Sequence, residues 1–159
     1  MEHNPAEVAP LNPEVHNLPA AVLAGGAAAA IGAVLWAVIA VVTGVKIGWV
    51  AVGIGFLVGY AVRIFGKGSE PMFQVLGAVL SLLGCLAGNL LMVCVFVSRQ
   101  EQIPLFALLA NLNPSLIIGL MVDTFTVMDL LFYGIAIYEG YRFSRAPAVV
   151  SVATLGLSA

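Results

Sequence analysis

The chain carries six basic and eight acidic side chains in 159 residues, so any chemistry has to reside in the few that fall inside or beside apolar runs. Glu139 stands first. It lies in LLFYGIAIYEGYRF, and an acid in so apolar a setting is costly enough to be kept for pairing, proton handling or a ligand. Arg142 follows three residues later, within same-face reach on a helix, and Arg63 closes another apolar run. This spacing predicts a structural ion pair from Glu139 to one of these two cations, with a functional acid as the alternative.

Asp129 reads differently. Thr126-Val-Met-Asp129 has the Thr-x-x-acid spacing of a capping box just ahead of an apolar run, which makes Asp129 a helix-terminal acid held by backbone donors and the helix dipole. It becomes an intramembrane acid only if that helix starts earlier. Asp123, nearby, reads as a solvated loop acid. Asn89, inside an apolar run, needs a hydrogen-bond partner. Gly55-x-x-x-Gly59 and Gly84-x-x-x-Gly88 put bare backbone on one helix face and permit close helix crossing, either within one copy or against a partner.

His3 and His16, with Glu2, Glu7 and Glu14, are scattered through a Pro-rich stretch without the spacing of two ligands on one helical turn, so they read as a solvated tail. Cys85 and Cys94 are nine residues apart, hence on opposite faces of a helix and about 13 Å apart along it. They cannot bridge each other there and read as packing residues. The chain has no nucleophile elbow, H-E-x-x-H or P-loop motif, and its glycine-containing runs are apolar spans rather than phosphate cradles. The reading is therefore a non-enzymatic protein, with no catalytic, cofactor-binding or metal-binding residues assigned. A net charge of −2 argues against nucleic acid, which demands a concentrated basic patch.

The elements that would carry these residues follow from composition. At 9% charged and 62% hydrophobic the chain has too little polar surface for a water-soluble globule, where about a quarter of residues are charged. It reads as an integral membrane protein whose first partner is the lipid bilayer. Residues 1–19 form an acidic, Pro-rich, disordered tail. The tail is a poor signal peptide because the first basic residue is Lys46. Apolar runs long enough to cross about 30 Å of hydrocarbon place spans at 20–43, 47–65 and 72–97, with a shorter fourth at 127–143. Between the third and fourth, the segment 102–123 is uncharged but broken by Asn111, Asn113 and Pro114. A Pro-broken backbone facing lipid is costly, so it reads as two short helices, interfacial or folded back on the bundle. Residues 146–159 form an apolar C-terminal tail, either loose or lying on the surface.

The fold expectation is thus an all-α, four-span membrane bundle over 20–145 with an interfacial helical loop before the last span. Arg63, Lys67, Arg142 and Arg145 fall on the side of both termini, and Lys46 and Arg99 opposite. That excess places both termini in the cytoplasm, against the flipped topology. Trp49, Tyr60, Tyr138 and Tyr141 sit where aromatic belts would.

The blocks IGWVAVGIGFLVGYAVRIFGKG, LGAVLSLLGCLAGNLL and MDLLFYGIAIYEGYRFS resemble an uncharacterised family of small bacterial four-span inner-membrane proteins. The resemblance covers the last three spans and implies architecture and a bacterial inner membrane, without a reaction. Some similar proteins carry a Cys-rich, zinc-ribbon-like segment ahead of the spans. The tail here has no cysteine, so no metal role carries over. Function then divides between a scaffold, assembly factor or accessory subunit that packs with itself or with another membrane protein, and a small oligomeric channel or ion- or proton-coupled transporter. In the second, Glu139, Asp129 and Asn89 would line a polar path.

Overall fold

The computed structural model describes residues 16–146, all of its regular elements helical. Four long helices, α1 (Leu18–Thr43), α2 (Trp49–Gly66), α3 (Pro71–Gln100) and α6 (Val127–Phe143), form a bundle, and two short ones, α4 (Leu105–Ala110) and α5 (Pro114–Thr124), precede α6. Helices α1, α2 and α3 are each long and apolar enough to cross a membrane; α5 and α6 together make a further candidate, bent by 105°.

Local chemistry sets most boundaries. Asn17 caps α1 by accepting from the Ala20 N–H at 2.9 Å, so the helix starts two residues ahead of the sequence expectation. Gly44 ends it at φ 68°, a left-handed conformation that costs glycine little. Pro71 opens α3, where its missing N–H is no loss. Asn113 caps α5 at the Leu116 N–H, again with proline at the first position. The segment expected at the interface therefore does form two short helices, both folded back on α3. Asp123 lies within α5 rather than in a loop, and it is exposed.

Helices α2 and α3 are the centre of the bundle: each packs on α1 and on α6, and they pack on each other, while the α1 and α6 backbones stay apart. The core is built largely from small residues, with Trp36, Ile54, Val58, Val62 and Phe73 filling what alanines and glycines leave. Large aliphatic side chains point outward, including Leu23, Ile31, Val38 and Val42 on α1 and Leu130 and Leu131 on α6. That inversion suits a bundle whose solvent is lipid.

The two described ends meet. Asn17 N–H donates to the Gly66 carbonyl and Ala146 N–H to the Gly68 carbonyl, so both fasten to the α2–α3 turn. His16 is docked there too, 3.1 Å from Glu70 and edge-on to Phe73. Its assignment to a solvated tail is thereby corrected, because the ring is carried to the turn by the start of α1. His3, the three tail glutamates and nearly all of the apolar C-terminal tail lie outside the described residues.

Candidate functional site

The polar residues singled out in the sequence divide into two groups at opposite ends of α6. At its start, the capping box is complete: the Thr126 N–H and hydroxyl both donate to Asp129 Oδ2, at 2.8 and 2.9 Å, and the Asp129 N–H donates to Thr126 Oγ1. Lys46, from the α1–α2 connection, adds a third contact to the same carboxylate oxygen at 2.6 Å and donates also to the Thr124 carbonyl at the end of α5, 3.2 Å away. Asp129 is only 3% exposed. One ammonium thus ties the α1–α2 connection to both arms of the α5–α6 elbow and compensates a buried carboxylate. The sequence places Lys46 in the short connection and on the orientation count, and does not reveal this pairing. The available signal was that Lys46 is the first charged residue after a long uncharged stretch, on the same side as the start of the last span.

One turn further along α6, Tyr133 donates its hydroxyl to the Cys85 carbonyl of α3 at 3.3 Å, and its ring stands edge-on to Trp36 of α1, 6.2 Å between centroids. Trp36 and Tyr133 are thus the side-chain bridge between two helices whose backbones do not meet. Asn89, fully buried, donates its amide N–H to the Met121 thioether of α5 at 3.8 Å. Among the described residues its carbonyl oxygen and the Trp36 indole N–H have no partner.

At the other end, the expected ion pair of Glu139 is absent among the described residues. Arg142 turns outward and donates to the Tyr138 hydroxyl at 2.8 Å, and no ion pair joins Glu139 to Arg142 or to Arg63. Four residues back along a helix is a closer angular match than three, so Tyr138 captures the guanidinium. Glu139 Oε2 is buried without a partner, the one acid of the bundle left in that state among the described residues.

The glycine pairs are used inside the chain. A Cβ on Gly55 would stand 2.5 Å from the Ala136 carbonyl oxygen, and one on Gly59 would be 2.9 Å from Phe143 Cβ, so that pair seats α6 on α2. Gly84 and Gly88 abut Ala29, Ala33 and Trp36, seating α1 on α3. A third crossing was missed. Gly77 of α3 and Gly140 of α6 meet backbone to backbone, each followed four residues on by a serine, Ser81 and Ser144, whose hydroxyl donates back to the glycine carbonyl. Its small-x-x-x-small spacing matches that of the two pairs that were found, with serine in place of the second glycine.

Cys85 and Cys94 are both buried free thiols, and among the described residues no three His, Cys, Asp or Glu side chains converge to hold a metal ion. No protein-family model matches the chain, and neither a curated protein nor a solved structure shows significant similarity to it.

Proposed function

We propose that the chain is a small non-enzymatic membrane component, a four-span bundle of a bacterial inner membrane with both termini in the cytoplasm. It acts through helix packing as a scaffold, assembly factor or accessory subunit. The observation that carries this reading is how tightly α6 is seated on α2 and α3: at the Gly55–Ala136 and Gly77–Gly140 crossings, backbone meets backbone with no room even for a Cβ. A bundle packed this closely suits a protein that deals with other molecules through its outer surface.

The four-span topology draws support from the meeting of the two described ends at the α2–α3 turn and from α6, whose 17 residues reach about 25 Å at 1.5 Å per residue. The surface offered for packing is apolar. Phe106 of α4, Ile118 and Val122 of α5, and Val127 and Met128 of α6 are all exposed around the elbow.

A second reading, an oligomeric channel or an ion- or proton-coupled transporter, is favoured by one observation, the unpartnered carboxylate oxygen of Glu139. An intramembrane acid without a partner among the described residues of its own chain is suited to a neighbouring copy or a permeant cation. Native mass spectrometry of the protein extracted from membranes in mild detergent separates the two. A stoichiometric foreign membrane protein is expected. A homo-oligomer that carries protons or ions in vesicles would put the second reading in its place, and a bare monomer would overturn both.

A further inference from the structure

Three of the apolar grooves on the outer surface of the described bundle differ in one respect. The groove on the outer side of α1 and α2, from Ala20 to Phe65, and the one between Gly32 and Leu57 are lined by uncharged residues throughout. The third, about 400 Å³ in volume, runs between α1 and α3 and has Arg99 in its wall. Val34, Val38 and Val42 line it from α1 and Leu91 and Val95 from α3, and Leu105 of α4 joins Arg99 in the lining.

Position along the helices gives the groove a direction. From Leu91 to Arg99, and from Val34 to Val42 alongside, is about 12 Å at 1.5 Å per residue, most of the roughly 15 Å that one leaflet's hydrocarbon contributes. Arg99 and Val42 lie near the ends of α3 and α1, so the cation is at the interfacial end and the aliphatic residues lead inward. Among the described residues the ion pairs are His16–Glu70 and Lys46–Asp129, which leaves the Arg99 guanidinium without a counter-charge. Glu101 is two residues away, a spacing at which helical side chains do not face each other, and Lys46 is occupied by Asp129.

We infer that this groove holds one anionic phospholipid, its acyl chain laid between α1 and α3 and its phosphate on the Arg99 guanidinium. An aliphatic trough of one leaflet's depth ending in a single exposed arginine matches an amphiphile with a phosphate head, and arginine grips phosphate through paired N–H donors. A transmembrane helix of a partner would bring apolar surface or backbone against that uncompensated charge. The inference needs only that α1 and α3 lie in a bilayer, so it stands apart from the identity of any protein partner.

The test is native mass spectrometry of the full chain released from nanodiscs of equal parts phosphatidylglycerol and phosphatidylethanolamine. Wild type is expected to retain one lipid, with the anionic species enriched roughly fivefold over the membrane, the worth of about one cation at a lipid surface. Arg99→Gln should bring that ratio to the bulk value, and Arg99→Lys should preserve most of it. Val38→Trp, introduced at a position 53% exposed, should displace the lipid altogether while helix content and melting stay as in wild type. Retained lipid of bulk composition in wild type, or undiminished enrichment in Arg99→Gln, would overturn the inference. Should Val38→Trp fail to fold, the two Arg99 variants decide alone.

Discussion

Helix α6 holds an acid near each end, and the two are treated in opposite ways. Asp129 is enclosed by a capping hydroxyl, a backbone N–H and the Lys46 ammonium, all on one oxygen. Glu139, ten residues on, has a buried oxygen without a partner among the described residues. The first is explained as structure: it closes a helix end, neutralises a buried charge and holds the α5–α6 elbow to the α1–α2 connection. The second end is held instead by close packing, through Gly140 on Gly77 and Gly59 on Phe143, and among the described residues the buried Glu139 oxygen takes no part in it. Asp129 serves the fold, and its partners are found among the described residues. On the proposed reading, an acid without such partners is the one to test for a role outside the fold.

The largest expected effect breaks the first side of this comparison. Asp129→Ala leaves Lys46 with only the Thr124 carbonyl, and removing one member of a buried pair costs about 3 kcal/mol, here at the low end of the usual range because Lys46 remains partly accessible. Unfolding by denaturing detergent should read that loss, and Asp129→Ala combined with Lys46→Met should recover much of it. A single variant as stable as wild type would mean that the pair contributes nothing to holding the elbow.

Next in size is the packing end. At Gly140 an added Cβ would lie 2.6 Å from the Gly77 carbonyl oxygen and run into Ser81 Oγ, backbone that cannot give way, so Gly140→Ala should cost about 2 kcal/mol. Gly134, with open space around it, is the control: Gly134→Ala should be neutral or stabilising by up to about 1 kcal/mol, the helix propensity gained. Equal melting temperatures for the two variants would show that the α3–α6 crossing is looser than its geometry.

A smaller effect, about 1 kcal/mol, is expected of Thr126→Ala, which removes one cap acceptor and one of the donors to Asp129 while leaving Lys46 in place. It should lower the melting temperature less than Asp129→Ala. The reverse order would make the cap, rather than the ammonium, the main restraint on the elbow.

These residues also show what a sequence can reveal of such a fold. The cap is legible because Thr126 and Asp129 are three residues apart and the geometry of a helix end is local. The all-helical bundle is legible because lipid demands long uncharged runs, and the broken segment because Asn113-Pro114 starts a new helix. Lys46 lies 83 residues from Asp129, and no local rule connects a connection after one helix to the cap of another. The Glu139 expectation went astray for a related reason: a same-helix arginine was within reach, yet Tyr138 was better placed for it. Gly77 and Gly140 carry half of a familiar spacing each, and only their meeting across two helices shows them to be one contact.

The smallest expected effect is the most informative about function. Glu139→Gln keeps the shape of the side chain and removes its charge, and since no ion pair among the described residues involves that charge, folding and melting in detergent should change by no more than about 0.5 kcal/mol. Asp129→Asn, the same chemical change ten residues earlier, should be clearly destabilising because it strips Lys46 of its counter-ion. If Glu139→Gln instead lowers the yield or melting point as much as Asp129→Asn does, the carboxylate has a partner inside the fold and the contrast between the two ends collapses. With stability unchanged, the variant isolates the outward role. Loss of a co-purifying membrane protein would assign Glu139 to a protein interface, whereas loss of proton or ion flux with the assembly intact would assign it to a path between copies.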